Sequence, residues 1–156
     1  VVRVPPESIN PHYKNYNRGD FTAGLFQAFE RGAETCILTD GHGNITEGPG
    51  FNVFAVKDGE VHTPAAGVLE GITRRTVMEL CEELGLPLHA RAVPADFVRD
   101  ADEFFLSSTA GGVLAITEVD GQPLGAGTEG PITQRLRKLY WAKKAEGWHG
   151  TPVQYS

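Results

Sequence analysis

Apolar positions follow two periods in this chain, and the period changes from one segment to the next. Short runs rich in β-branched and aromatic residues, bounded by glycine, proline or acidic residues, predict strands. These runs are 34–40, 51–56, 61–63, 88–93, 101–107 and 113–119. Between the second and third, Lys57-Asp58-Gly59-Glu60 contains the Asp-Gly pair that is typical of a tight hairpin turn.

Three other stretches have apolar residues three and four positions apart, which predicts helices over about 21–31, 73–84 and 132–144. Asp20 and Thr73 are expected to cap the first two, because their oxygens can accept hydrogen bonds from free N–H groups. Gly32 and Gly85 should end those helices. The first helix is expected to bury the stripe Phe21, Leu25, Ala28 and Phe29.

Strands outnumber helices, and hairpins outnumber crossover connections. This pattern predicts an α/β (α+β) fold: a mixed, mostly antiparallel sheet or pseudo-barrel with helices packed outside. The 156 residues, 40% of them apolar, suit a single domain over 1–156. The 19 glycines and 10 prolines are scattered, so no linker is indicated.

The net charge is −6, and no block of Lys and Arg exceeds two residues, which argues against nucleic acid or an anionic membrane as partner. No apolar run approaches the roughly 18 residues of a membrane span, and the first residues do not resemble a signal peptide. Cys36 and Cys81 are interpreted as small buried hydrophobic residues of a reduced, cytoplasmic protein.

The strongest candidate for chemistry is Glu47, in the sequence Thr46-Glu47-Gly48-Pro49-Gly50-Phe51-Asn52. Two glycines and a proline predict a rigid, tight turn that holds the carboxylate at the start of a buried strand. The alternative is an ordinary turn with a solvated glutamate.

Lys14 is the only lysine in the first fifty residues, and Tyr13 and Tyr16 give it a half-apolar neighbourhood. A lysine that loses solvation there could form a Schiff base with a carbonyl compound. The alternative is a lysine of a surface loop.

Two segments predict an anion site. Gly71-Ile72-Thr73 begins a helix, where free N–H groups and a hydroxyl attract an anion, although a plain capped helix is the alternative. The loop Ser108-Thr109-Ala110-Gly111-Gly112 could form the second side of a phosphate cup. Lysine, carboxylate and anion site together fit pyridoxal 5′-phosphate: Lys14 would form the imine, Glu47 would pair with the ring nitrogen, and Leu69 would press on the ring. We assign no residue to a metal.

A family resemblance rests on these segments and several more, which occur in the same order over nearly the whole chain. They are Pro11 to Asn15, Asp40 to Asn52, Leu69 to Arg74, Ser108 to Gly112, Gly130 to Thr133 and Thr151 to Tyr155. The chain resembles the fold-type IV pyridoxal-phosphate enzymes, a group that includes D-amino acid aminotransferase. The (R)-selective amine transaminases are the most similar subgroup.

The resemblance implies a transaminase that moves an amino group between an (R)-amine and a keto acid or ketone, with Lys14 as catalytic residue. The implied cofactor-binding residues are Lys14, Glu47, Leu69, Gly71, Ile72, Thr73, Ser108, Thr109 and Ala110. The implied substrate pocket contains Arg18, Gly48, Thr109 and Ala110. The resemblance also implies a homodimer.

Two departures from the family pattern limit this picture. The chain matches only the larger, C-terminal cofactor-binding domain, and it begins in mid-strand. The smaller N-terminal domain of the family supplies an arginine for the phosphate, half the substrate pocket and much of the dimer interface. Arg18 stands where related amine transaminases have an aromatic residue. It could recruit a substrate carboxylate, or it could turn away into solvent.

Other functions remain open at this stage. The same fold carries branched-chain and D-amino acid aminotransferases and aminodeoxychorismate lyase. There are also alternatives from other classes: a non-catalytic half-domain that binds the cofactor weakly, an inactive fragment, or an unrelated phosphate-binding domain.

Overall fold

The computed structural model of this protein describes residues 2–4 and 9–154, so Tyr155 of the last motif lies outside the described residues. The described helices are α1 (Gly19–Glu30), α2 (Ile72–Glu83), α3 (Ala95–Arg99) and α4 (Pro131–Ala145). The described strands are β1 (Glu47–Gly48), β2 (Phe51–Lys57), β3 (Glu60–Pro64), β4 (Leu88–Arg91), β5 (Glu103–Ser108), β6 (Gly112–Ile116), β7 (Glu118–Val119) and β8 (Gln122–Pro123).

The main sheet has six strands in the order β4-β3-β2-β5-β6, with β1 paired to β2 outside this path. The β3–β4 pair is parallel and the other pairs are antiparallel. The predicted mixed, mostly antiparallel sheet with helices is therefore confirmed. Strands β7 and β8 form a separate two-stranded ribbon.

The central strand β2 is buried on both faces, which explains why its apolar run is continuous rather than alternating. Phe54 and Val56 pack with residues of α2 and α4 on one face. Val53 and Ala55 pack on the other face with Val98 of α3 and several residues outside the helices. The two faces thus carry two hydrophobic clusters, and β2 separates them.

A buried glutamate holds the start of α4. Gly130, the N-cap residue, has no side chain that could cap the helix, and Glu103 of β5 does so instead. Its carboxylate accepts hydrogen bonds from the N–H groups of Ile132 at 2.9 Å and Thr133 at 2.7 Å. A Cβ on Gly130 would lie 2.1 Å from this carboxyl group, so the contact requires glycine at that position. These bonds fix α4 to the sheet.

The predicted turn over 57–60 is confirmed, with φ of 51° at Asp58 and 81° at Gly59, as hairpin turns of this type require. The prediction of a strand over 34–40 is wrong except for a bridge at Thr39. Backbone hydrogen bonds join Leu38 to Thr46 and Glu47 without a regular ladder. The run predicted over 113–119 is divided between β6 and β7, and 88–93 is shortened to β4.

Helix α1 begins earlier than predicted, and Asp20 is not its cap: Arg18 occupies the N-cap position and provides no side-chain hydrogen bond. The predicted stripe is only half correct. Phe21 and Ala28 are buried, Leu25 is partly buried, and Phe29 is 59% exposed. Gly24 takes the remaining inward position, because a Cβ there would lie 2.6 Å from Sγ of Cys36. Helix α1 therefore buries a narrower face than its apolar pattern indicates.

Two further predictions are corrected. Gly71, not Thr73, is the N-cap of α2, and Thr73 lies buried in the first turn. Cys81 is buried as expected, and burial raises its pKa to about 12, whereas Cys36 is partly exposed. Gly32 and Gly85, both with positive φ, follow the ends of α1 and α2 as predicted. None of the helices within 2–4 and 9–154 has the length and apolar character needed to cross a membrane.

Candidate active site

A cleft of about 320 Å³ opens where the start of β2 lies beside the end of β5. Asn52 and Ser107 are partners in that antiparallel pair, so the residues that flank them come together. The cleft brings together ten predicted site residues: Lys14, Arg18, Glu47, Gly48, Leu69, Gly71, Ile72, Thr73, Ser108 and Thr109. Ala110 follows them in sequence but does not line the cleft.

The cleft has two walls that differ in structure, which we call the sheet wall and the loop wall. The sheet wall consists of Glu47, Asn52, Leu69, Gly71 and Ser107. The loop wall consists of Tyr13, Lys14, Asn15, Asn17 and Arg18.

Glu47 is the centre of the sheet wall and is only 5% exposed. Arg3 donates from Nη1 to Oε1 of Glu47. Oε2 of the same carboxylate accepts from the backbone N–H of Leu69 at 2.8 Å and from Nδ2 of Asn52 at 3.2 Å. Three donors fix the orientation of this carboxylate, and Arg3 supplies the opposite charge that a buried carboxylate needs.

Arg3 also connects Glu47 to α1. Its Nε lies 3.7 Å from the carboxylate of Asp20, and its guanidinium carbon lies 4.7 Å from the ring centroid of Phe21. Nη1 makes a further hydrogen bond of 3.3 Å to the carbonyl of Gly67. Asp20, predicted as a helix cap, thus serves as a second anion for Arg3.

Glycines near Glu47 and Asn52 occupy positions with a positive φ or with a neighbouring side chain in close contact. Pro49 and Gly50 connect β1 to β2, and Gly50 has a φ of +92°, as the second central residue of a type II turn requires. A Cβ on Gly48 would lie 2.0 Å from the ring of Phe51, and a Cβ on Gly71 would lie 2.4 Å from Oδ1 of Asn52. The predicted rigid turn that holds Glu47 at the start of a buried strand is confirmed.

Hydrogen-bond donors for an anion collect beside this network. The first N–H groups of α2 have no partners within the helix, and its N-cap is a glycine with no side chain to satisfy them. Oγ of Ser107 is buried and has no hydrogen-bond partner among the described residues. Oγ of Ser108 accepts from the N–H of Gly111 at 3.0 Å, which leaves its own hydrogen free to be donated.

The loop wall is open to solvent and shaped by asparagines. Oδ1 of Asn15 accepts from the N–H of Asn17 at 2.9 Å, and Nδ2 of Asn15 donates to the carbonyl of Tyr13 at 3.0 Å. Lys14 is exposed, and Tyr13 and Tyr16 are 71% and 101% exposed. Of the two environments considered for Lys14, the structure shows that of a surface loop, and Lys14 also lines the cleft.

Arg18 lines the cleft as well and is exposed to solvent. Its guanidinium carbon lies 5.4 Å from the ring centroid of Phe21, the same ring that Arg3 contacts. Phe21 is itself part of the lining.

Sequence reasoning missed Arg3, Asn52 and Ser107 as parts of the site. Each carried a weak signal. Asn52 and Ser107 are polar residues within buried strands, and Arg3 lies between valines. Arg74 was noted in the motif but lies outside the cleft lining. It is buried and donates from Nη2 to the carbonyl of Pro64 at 3.0 Å. Burial lowers its pKa, while Glu70 and Glu47 oppose that change.

Comparison with known proteins identifies related enzymes. The family model for amino-transferase class IV matches residues 1–119. A branched-chain-amino-acid aminotransferase of Pseudomonas aeruginosa is 42% identical over 118 residues, which cover 75% of this chain and 38% of the relative. A D-alanine aminotransferase of Bacillus licheniformis is 39% identical over 106 residues, 67% of this chain and 37% of the relative.

Solved structures of related enzymes have the same fold. The branched-chain amino acid aminotransferase from Thermobaculum terrenum, in its PLP form, superposes with a TM-score of 0.88 at 32% identity. The match covers 94% of this chain and 49% of that one. The chain therefore spans about half the length, or less, of these relatives.

Proposed function

The chain belongs to the class IV aminotransferases, and on this premise we propose that it holds pyridoxal 5′-phosphate in the cleft and transfers amino groups. The observation that carries the proposal is the convergence of three groups on one cleft. These are the amine of Lys14, the fixed carboxylate of Glu47 and the free N–H groups at the start of α2. Pyridoxal phosphate can interact with all three, since its aldehyde condenses with an amine, its ring nitrogen pairs with a carboxylate and its phosphate accepts hydrogen bonds.

The residues present fit that cofactor. Glu47 offers a buried, oriented carboxylate to a protonated ring nitrogen, and the start of α2 with Thr73 offers donors to a phosphate. The buried hydroxyl of Ser107, which has no partner among the described residues, gives this side of the cleft a further donor. Gly48 and Gly71 allow the ring of Phe51 and the amide of Asn52 to pack against the backbone beside the cleft. The proposed cofactor-binding set is Lys14, Glu47, Leu69, Gly71, Ile72, Thr73, Ser108 and Thr109.

When bound, the cofactor supplies an aldehyde that condenses with amines and a ring that accepts an electron pair. The residues of the chain do the rest. Nζ of Lys14 would hold the cofactor and, once freed by the amine of the substrate, would take the proton from the substrate carbon that bears the amino group and pass it to C4′ of the cofactor. The exposure of Lys14 suits these changes of partner, since its side chain is not enclosed by packing.

Two donor classes are candidates. The resemblance of the loop Ser108 to Gly112 to amine transaminases favours an (R)-amine. The names of the relatives from P. aeruginosa and B. licheniformis favour a branched-chain or D-amino acid. We propose a keto acid as acceptor in both cases.

We further propose that residues 1–156 act as the cofactor-binding domain of a two-domain enzyme that works as a homodimer. The open loop wall and the coverage of about half of the relatives support this proposal. A second domain and a second copy would then complete the substrate side of the cleft.

The test is the visible absorbance band that an imine between protein and cofactor produces. We expect this band when the purified protein is mixed with pyridoxal phosphate, and we expect its loss in Lys14→Ala. The matched control is Lys138→Ala, since Lys138 is an exposed lysine of α4 outside the cleft. An amino donor should bleach the band.

Each other outcome has a definite meaning. A band that no amine or amino acid bleaches would indicate a binding domain without transaminase activity. A band that survives in Lys14→Ala, or no band in the unmodified protein, would contradict the proposal.

A further inference from the structure

We propose that Arg18 determines substrate choice by binding the carboxylate of an amino or keto acid in the cleft. This inference rests on the proposed function, because it concerns the molecule that reacts at Lys14. It would make an acid, rather than a plain amine or ketone, the preferred substrate at this end of the cleft.

The position of Arg18 is the first support. It lies four residues after Lys14 on the same loop wall, and both residues line the cleft. The aromatic ring of Phe21 lies 5.4 Å from its guanidinium carbon. A guanidinium held over a ring loses less freedom on binding a ligand than one that extends freely into water.

The balance of charges is the second support. The charged residues that line the cleft are Arg3, Lys14, Arg18, Glu47 and Glu70. Arg3 forms ion pairs with Glu47 and Asp20, so its charge is already balanced within the protein. Among the described residues Arg18 makes neither an ion pair nor a side-chain hydrogen bond, and Lys14 is assigned to the cofactor. Arg18 is therefore the cation left in the described part of the cleft for a second anion.

The guanidinium group suits that anion. Its planar array of N–H groups forms two parallel hydrogen bonds with a carboxylate, which a neutral amide or ketone cannot match. A phosphate could also attract it. However, the proposed phosphate donors belong to α2 and the end of β5, whereas Arg18 belongs to the loop before α1. The cofactor phosphate and the substrate carboxylate would thus be bound by different walls.

The test compares an acid with its neutral analogue. Binding of 4-methylvaleric acid and of 4-methylvaleramide to the purified protein is measured by calorimetry, with the cofactor in its amino form so that no reaction occurs. The variants are Arg18→Gln, Arg18→Lys and the control Arg75→Gln, which removes an exposed arginine outside the cleft.

We expect Arg18→Gln to weaken binding of the acid by about 10- to 100-fold, as loss of a charge-assisted pair implies, and to leave the amide unchanged. Arg18→Lys should restore part of the loss, because it keeps the charge but not the paired geometry. In turnover, the KM for an amino acid donor should rise in Arg18→Gln, while kcat changes little.

Three results would overturn the inference: equal affinity for acid and amide in the unmodified protein, an equal effect of Arg18→Gln on both, or an effect of that variant on cofactor affinity alone. The last result would assign Arg18 to the phosphate. The visible band at Lys14, recorded for the same variants, tests the proposed function separately. A band that persists in Arg18→Gln without any change in substrate preference would refute the role of Arg18 and leave the role of Lys14 intact.

Discussion

The wall of the cleft that carries Glu47 is buried and cross-linked, whereas the wall that carries Lys14 is exposed and made of short local turns. On the sheet wall, Glu47 and Asn52 are each 5% exposed and are linked to each other and to Leu69. On the loop wall, Lys14 and Arg18 are exposed, and their neighbours bond mainly within the loop.

The difference matches the two tasks that the proposed function gives to these walls. A carboxylate that must stay in one place is held by residues that also hold the fold together, so changes there should reduce stability as well as binding. An amine that must change partners lies on a segment with little packing, so changes there should reduce chemistry and leave stability alone. Substitutions in matched pairs test this contrast.

The largest effect on stability should come from Glu47→Ala. It leaves the N–H of Leu69 without its acceptor and leaves Arg3 with only its longer contacts to Asp20 and Gly67, in a poorly solvated place, which should cost about 3 kcal/mol in the free energy of unfolding. Glu70→Ala, which removes an exposed carboxylate at the same cleft, should change it by less than about 0.5 kcal/mol. Denaturant titration followed by circular dichroism measures both, and equal losses would contradict the contrast between the walls.

The same substitution should have opposite signs at two glycines. Gly71→Ala places a Cβ 2.4 Å from Oδ1 of Asn52 and should destabilise the protein by about 2 kcal/mol through displacement of that side chain. Gly19→Ala places a Cβ 3.6 Å from Oδ1 of Asn17, an ordinary contact, at the first residue of α1. There the gain in helix propensity should stabilise by about 0.5 to 1 kcal/mol. Thermal melts of the two variants provide the comparison. Destabilisation of similar size at both would show that the surroundings of Gly19 are packed as tightly as those of Gly71.

The smallest effect should come from Tyr13→Ala. Tyr13 lines the cleft but is 71% exposed, so its removal should change the free energy of unfolding by less than about 0.5 kcal/mol. A loss above about 1.5 kcal/mol in the same denaturant titration would mean that the loop wall is as firmly built as the sheet wall.

The sequence predicted the sheet wall better than the loop wall, for a physical reason. Pro49 fixes its own φ and Gly50 permits the positive φ that the turn needs, so the turn beside Glu47 could be predicted from residue type. Lys14 lies among asparagines and tyrosines that allow many conformations, so the sequence left both a half-apolar and a surface environment open for it. The exposure of the two tyrosines agrees with the surface environment.

Long-range partners were the main omission. Nothing local indicates that Arg3 reaches Glu47, 44 residues away, or that Glu103 caps a helix that begins at Pro131. The caps predicted at Asp20 and Thr73 failed for the same reason. Asp20 pairs with Arg3, and Thr73 is drawn into the buried first turn of α2. Tertiary contacts outweighed local preference at each of these positions.

The most direct measurement is to locate the cofactor on the chain. The protein is incubated with pyridoxal phosphate, reduced with borohydride, digested and analysed by mass spectrometry. We expect the phosphopyridoxyl group on the peptide that contains Lys14, and on none of the peptides that contain Lys57, Lys138, Lys143 or Lys144. Attachment spread over several lysines, or a predominant site other than Lys14, would contradict the assignment of this cleft as the active site.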